Sequence, residues 1–229
     1  SLAQASGSSF TLETEVFFPK RTIKGDDNFQ LFPSDQSSIF GLHAVDTATV
    51  EADPLDMTFS AEDDISFNVV AVKDHDDKRH VKFAIKVGES SVLTEKESDL
   101  FTGVYDNEKW NLAFRVFPTK YPLATMVSQS LSGSTPYTYE LYGVNYVSTI
   151  KQNEFTLSGT LNLESGLKFF TKHKRIFVGA ERTNFTGSNI VRHSDVKVSS
   201  VRYWMDKLPN EAIQGLSLIH ISEPTRRTP

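Results

Sequence analysis

The stretch that decides the fold is Lys174–Ile213, KRIFVGAERTNFTGSNIVRHSDVKVSSVRYWMDKLPNEAI. It opens with a short apolar strand that ends in Val178-Gly179, and a polar loop containing glycine follows. Apolar and polar residues then alternate over Asp195–Trp204, which predicts a long strand with one buried face. A short helical turn is predicted over Leu208–Ile213, because its proline suits a first helical position.

The same period of two extends back toward the start of the chain. Phe10–Phe18 alternates, with large apolar residues on one face and Glu13 and Glu15 on the other, which we expect to be a solvated edge. Ile65–Val87 predicts a hairpin around a polar turn, and Trp110–Phe117 predicts a strand with Trp110 inward. No helical period of useful length precedes the terminal turn.

Composition excludes several classes of protein. The 229 residues carry a formal net charge of −5 with both signs mixed, so we expect no nucleic-acid partner. The chain has no Cys, which excludes disulfides and thiolate sites. No apolar run approaches the roughly 20 residues needed to cross a bilayer, so we expect no membrane insertion.

The chain divides into three parts by composition. Residues 1–9 are predicted to be an interdomain linker, and residues 10–215 one domain of about a dozen short strands. Strands at this spacing predict an all-β, antiparallel two-sheet jelly-roll sandwich. Residues 216–229, LSLIHISEPTRRTP, resemble the in-frame translation of a sequencing adaptor, so we expect a non-native tail and a fragment of a longer gene.

Several of these residues resemble the laminin-G-like family of concanavalin A-type jelly rolls. They are Val178-Gly179 closing the penultimate strand, Asp195 and Arg202-Tyr203-Trp204 in the last strand, and Trp110 opening a strand after a turn. Residues 179–204 are also similar to laminin-G-like domains in large structural proteins of marine tailed phages. That resemblance implies a virion-associated or extracellular protein. Arg202 is expected to be structural, stacking on an aromatic ring or pairing with Asp195.

Glycosidase chemistry is the first function to test, since concanavalin A-like folds include retaining glucanases. Retaining hydrolysis needs two carboxyl groups about 5–5.5 Å apart. No Glu-x-Asp-x-x-Glu pattern occurs, and Glu13 with Glu15 is the nearest approach. No histidine follows a nucleophile-elbow motif either. We therefore expect no enzyme activity.

Calcium is the second test, because the resemblance implies that related modules bind one Ca²⁺ at the sandwich rim. Clustered carboxylates and carbonyls from loops would hold such an ion. Four acidic runs could supply them: Asp26-Asp27-Asn28, Glu62-Asp63-Asp64, Asp74-x-Asp76-Asp77 and Asp106-Asn107-Glu108. The same residue types are also ordinary in turns, so the metal stays open and no run is preferred.

Carbohydrate binding is the third test. Aromatic residues in loops or at strand ends, with nearby amide and guanidinium groups, predict ligand contacts by Tyr121, Tyr142, Asn145, Arg182 and Asn184. The alternative is that the aromatics cap the core and Arg182 pairs with a carboxylate. The segment Glu181–Gly187, ERTNFTG, is the most distinctive loop, and loops on a rigid scaffold commonly carry function.

The expected function is a non-catalytic binding or structural module of a larger virion-associated or extracellular protein. It would serve attachment or assembly by contacting glycans or other virion or cell-surface proteins. The alternatives are a carbohydrate-binding accessory domain, or less favourably the catalytic domain, of a glycoside hydrolase or lyase, and a spacer that binds nothing.

Overall fold

A computed structural model describes residues 8–20, 34–45, 64–120, 137–182 and 190–219. Within these ranges the elements follow in the order β1 (Phe10–Phe18), β2 (Gln36–Ala44), β3 (Phe67–Lys73), β4 (Val81–Lys86), β5 (Lys96–Glu97), β6 (Glu108–Pro118), β7 (Tyr137–Val147), β8 (Ile150–Leu161), α1 (Leu163–Thr171), β9 (Lys174–Val178), β10 (Glu181–Arg182), β11 (Ile190–Arg192), β12 (Lys197–Trp204) and α2 (Asn210–Ile219).

Two antiparallel sheets of five strands confirm the predicted all-β sandwich. The first sheet has the order β12-β1-β6-β7-β8, and the second has the order β5-β4-β3-β2-β9. Strands β10 and β11 pair separately as a short ribbon. Most neighbours in the second sheet are consecutive in the chain, but β2 also pairs with β9, more than 130 residues later.

The core lies between the two sheets and is built from the apolar face of each strand. Trp110 and Phe114 of β6 are fully buried, as the alternation predicts. Their rings meet the opposite sheet, with Phe114 3.9 Å from Phe67 and Trp110 4.7 Å from Phe83 between ring centroids. Burying large aromatic side chains at such distances contributes hydrophobic and ring-pair stabilisation together. The predicted hairpin is also confirmed, since Ala71 pairs with Phe83 across β3 and β4.

The polar face of β1 differs from the prediction. Glu13 and Glu15 do not form a solvated edge, because β1 lies between β12 and β6 and both residues are buried. Glu13 is opposite Arg202 in the register, and their side chains form an ion pair of 2.9 Å. The predicted partnership of Arg202 with Asp195 is replaced by this one, and Asp195 instead pairs with buried Lys73.

A helix before the terminal turn was not expected, yet α1 follows β8 directly. The side chain of Asn162 caps its N-terminus by accepting a hydrogen bond of 2.7 Å from the backbone N–H of Ser165. Leu167 and Phe169 are buried on its core side. The helix has only nine residues, too few for a clear period of 3.6 to emerge from the surrounding strands.

The terminal turn is longer than predicted and becomes α2. Its buried Ile213 packs against the outer face of the first sheet, where the Asn111 side chain donates a 3.2 Å hydrogen bond to the Ile213 carbonyl. The predicted domain boundary after Gly215 falls inside this helix. The non-native origin of residues 216–229 stays a prediction, and residues 220–229 lie outside the described ranges. None of the helices in those ranges is long and apolar enough to cross a membrane.

Candidate functional site

The outer face of the second sheet carries a polar cavity of about 300 Å³. Its lining combines sheet residues with the segment after β4 and with the β10–β11 ribbon. The polar and charged side chains of this lining include His43, Asn68, Lys86, Glu181 and Arg192. We call this the Glu181 cavity, because the carboxylate of that residue is the group the others surround.

The register of the second sheet creates the base of this cavity. Gly41 of β2 pairs with Asn68 on one side and with Phe177 on the other, so these positions share the outer face. A Cβ on Gly41 would lie 2.4 Å from the Phe177 ring and 2.3 Å from a backbone oxygen. Glycine therefore lets Phe177 lie against the sheet, where its ring stacks on His43 at 5.2 Å.

The β10–β11 ribbon brings Glu181 over this base. Gly179 ends β9 with a φ of +81°, a conformation that glycine adopts without steric cost. Its backbone N–H donates to the Ile39 carbonyl at 2.8 Å, which fixes the turn to β2. Glu181 then pairs with Arg192 across the ribbon. The predicted Val178-Gly179 pair thus acts as the corner from which the site is built.

The Glu181 carboxylate is buried and surrounded by donors. His43 Nε2 lies 3.2 Å from Glu181 Oε1, and the Asn68 amide donates to Oε2 at 2.8 Å. Arg192 forms a short ion pair with the same oxygen. Asn68 is itself oriented, because the Ser38 hydroxyl lies 3.1 Å from its side-chain oxygen. The arrangement is a preorganised acceptor whose position is set by three different strands.

The protonation state of Glu181 follows from this environment. Burial alone would raise the pKa of its carboxyl, but the hydrogen bonds from His43, Asn68 and Arg192 outweigh burial and lower the pKa to about 2. Glu181 is therefore an anion at any physiological pH. It can accept hydrogen bonds from a ligand, but it has no proton to donate.

The predicted ligand residues are not brought together in one place. Tyr142 and Asn145 lie on β7 in the first sheet, and both are completely buried. Arg182 is exposed on β10 and follows Glu181 in the chain, but it is not part of the cavity lining. Tyr121 and Asn184 lie outside the described residues. We therefore centre the candidate site on the polar groups of the Glu181 cavity.

Tyr142 and Asn145 are occupied by contacts within the fold. The Tyr142 hydroxyl donates to Glu154 at 2.7 Å and accepts from Gln214 at 2.8 Å, which links β7 and β8 to α2. The Asn145 side-chain oxygen accepts from Asn153 at 3.2 Å. These contacts match the alternative that the loop aromatics serve packing. The ligand contacts predicted for the two residues stay predictions.

The sequence held weak signals for the residues that do form the site. Glu181 opens the loop that was singled out, but its partners are distant in the chain. Asn68 interrupts an otherwise apolar strand, FNVVAVK, and so was a candidate for a buried polar contact. His43 and Arg192 carry no distinguishing pattern. The order β3-β2-β9 brings His43 and Asn68 together, and the β10–β11 ribbon adds Arg192 beside Glu181.

A second and larger cavity, of about 810 Å³, lies on the outer face of the first sheet beside the start of α2. Arg115 forms its floor and is almost completely buried, with an ion pair of 2.9 Å to Glu140. The same guanidinium donates to the Leu208 carbonyl and to the Asn210 side chain, each at 2.8 Å. Because these bonds anchor the chain entering α2, the polar groups here are explained by the fold.

The acid pair nearest to the hydrolase pattern, Glu13 with Glu15, lines neither cavity. Glu13 is bound to Arg202, and Glu15 lies 3.2 Å from Lys109, so both acids hold the first sheet together. Burial raises the pKa of Glu108, whose carboxylate accepts a 2.8 Å hydrogen bond from the Trp110 indole. Glu108 lines neither cavity. Glu181 does line a cavity, but its pKa is lowered rather than raised.

In each acidic run that the structure describes, one acid is engaged in an ion pair. Asp64 contacts Lys168 and Lys172, each at 2.7 Å. Asp77 pairs with Arg79 at 2.6 Å, and the Asp106 side chain lies 3.2 Å from Lys20. Over the described ranges, no group of three or more metal-ligating side chains comes together. Residues 26–28, 62 and 63 lie outside those ranges.

Comparison with known proteins identifies no family for this chain. No protein-family model matches the chain, and no curated protein matches it significantly. The function of the site is accordingly argued from its own geometry.

Proposed function

We propose that this chain is a non-catalytic binding module that attaches a larger protein to glycans through the Glu181 cavity. The observation that carries the proposal is the ionised, buried carboxylate of Glu181 in a cavity that also presents an imidazole, an amide and a guanidinium. A few convergent polar groups in a concave site are typical of small-ligand recognition. Sugar hydroxyls both donate and accept, so they suit a site that offers both kinds of partner.

The low pKa of Glu181 favours binding over glycoside hydrolysis. A general acid in hydrolysis must hold a proton near neutral pH, which requires a raised carboxyl pKa. Glu181 has the opposite shift, to about 2, because three donors hold its charged form. As an anchor for ligand hydroxyl groups, however, a permanently ionised acceptor is well suited, since hydrogen bonds to charged groups are stronger than neutral ones.

The setting of the module follows from the laminin-G-like resemblance. That resemblance supports a large virion-associated or extracellular protein in which this domain attaches or assembles through glycan contacts. An accessory domain of a glycoside hydrolase or lyase would use the cavity in the same way. The two settings differ in the neighbouring domains, not in the chemistry of this site.

A glycan array probed with the full chain tests the proposal, in calcium and in chelator. Two variants act on the cavity differently. Glu181→Gln removes the charge, whereas Ser90→Trp fills the cavity from its exposed rim and leaves the buried hydrogen bonds intact. Glu164→Gln, at an exposed position in the first turn of α1, makes the same chemical change away from the cavity.

We expect saturable binding that Ser90→Trp abolishes and that Glu181→Gln weakens by about tenfold or more, the loss of one charged hydrogen bond. Glu164→Gln should bind like the parent chain. Binding that survives both cavity variants would locate the glycan site elsewhere, and the absence of any binding would favour the spacer. Binding lost in chelator would show that a calcium site takes part.

A further inference from the structure

The Glu181 cavity also carries information on which sugars it would accept. We infer that it takes a single uncharged sugar ring, and that it rejects the corresponding uronic acid or sulfated ring. This inference rests on the proposed function and specifies its ligand class. Three features of the cavity support this inference. They are the donor and acceptor sites of Glu181 and Arg192 that remain available to a ligand, the charges around these residues, and the volume of the cavity.

The hydrogen-bonding capacity suits a hydroxyl group. An ionised carboxylate offers about four lone-pair sites, and His43, Asn68 and Arg192 occupy three at Glu181. One acceptor site remains for a ligand donor. Arg192 has five N–H donors and commits one to Glu181 Oε2, so donors also remain on the guanidinium that binds this carboxylate. A hydroxyl can donate to Glu181 while it accepts from Arg192, which a carboxylate ligand, having no proton, cannot do.

The charges lining the cavity are already balanced without a ligand. Arg192 is paired with Glu181, and Lys86 lies 3.2 Å from Glu95 and 3.0 Å from Glu97. Glu89 adds a further carboxylate at the exposed rim. Both cations of the lining therefore have anionic partners, and the remaining local charge is negative. Because Arg192 already offsets the charge of Glu181, the unbalanced carboxylate of the lining is Glu89, and it would repel an anionic sugar.

The volume sets the size of the ligand. About 300 Å³ is at the lower limit of small-molecule sites, which span about 300–1,000 Å³. The segment containing Gly88 and the β11 residue Val191 bound the cavity on its open side. A site of this size accommodates one ring, so the neighbouring sugars of a longer glycan would remain in solvent and add little affinity.

Isothermal titration of the full chain with matched pairs of methyl glycosides tests the inference. Each pair consists of a neutral hexoside and its uronate, which differ only at carbon 6. We expect the neutral member to bind about tenfold or more tightly than the uronate at low salt. The methyl glycoside should bind within about threefold of the longer glycan that carries it, since one ring makes the contacts.

An exposed variant gives a second readout that does not depend on the buried hydrogen bonds. Glu89→Gln removes one rim charge, so it should strengthen uronate binding relative to hexoside binding by about twofold to threefold. Glu164→Gln should change neither. A uronate that binds as tightly as its hexoside overturns the uncharged-ligand inference while glycan binding stands. If neither member of any pair binds and the array is also negative, the proposed function fails as well.

Discussion

Replacing Glu181 by glutamine gives the sharpest test of how the site is built. Glutamine has the shape of a protonated glutamate and carries no charge. Folding lowers the pKa of Glu181 from 4.5 to about 2. At about 1.4 kcal/mol per pKa unit, the ionised form contributes about 3 kcal/mol to the free energy of unfolding. We therefore expect Glu181→Gln to lower that free energy by about 3 kcal/mol near neutral pH.

The pH dependence of this loss follows from the direction of the shift. A carboxyl whose pKa is depressed on folding contributes its full stabilisation above the unfolded-state pKa of 4.5 and loses it as the pH falls through the folded-state value of about 2. The parent and the variant should therefore converge in acid. We expect a difference of about 3 kcal/mol near pH 7, about 1.5 kcal/mol near pH 3 and less than about 0.5 kcal/mol near pH 2.

Urea unfolding followed by tryptophan fluorescence measures the difference at each pH. Glu164→Gln is the matched control, and at its exposed helical position it should change stability by no more than about 0.5 kcal/mol. A loss below about 1 kcal/mol for Glu181→Gln at neutral pH would refute the argument that three donors stabilise its charge. So would a loss of the same size at every pH, because packing rather than ionisation would then explain it.

Three further changes test the sandwich by urea unfolding. Lys73→Met removes the ion-pair partner of the buried Asp195 carboxylate and should lower the free energy of unfolding by about 3–5 kcal/mol. Adding Asp195→Leu should recover most of this loss. A double variant as unstable as Lys73→Met would contradict the pairing. Trp110→Ala should cost about 3–5 kcal/mol, and a loss below about 1 kcal/mol would show that the ring is not a core residue. Gly41→Ala should cost about 1–3 kcal/mol, because its Cβ would meet the Phe67 carbonyl oxygen at 2.3 Å; wild-type stability would rule out this close approach.

Much of the strand pattern could be predicted because the period of two is a local property. Alternation alone identified β1, the β3–β4 hairpin and the inward face of β6, where a slip of one residue would expose large apolar side chains. The same alternation fixes the register between β3 and β4 across their polar turn. These features depend on residues that are close in the chain, and the structure confirms them.

The candidate site could not be predicted in the same way. His43, Asn68 and Glu181 are separated by up to 138 residues, and they meet because β2 lies between β3 and β9. Strand order is a non-local choice that depends on how the two apolar faces close over one core. The predicted ligand residues Tyr142 and Asn145 lie within β7, which continues to Val147, and both are buried there.

The sequence by itself determined that this chain forms strands, which faces of those strands are apolar, and that the surface is mildly acidic without thiols. The tertiary structure alone decided which strands that are distant in the chain are neighbours. That choice buried Glu13 and Glu15 in the middle of the first sheet and assembled a carboxylate, an imidazole, an amide and a guanidinium on the second. The physical reason is that periodicity is set by adjacent residues, whereas desolvation and charge pairing are set by whatever the packed sheets bring into contact.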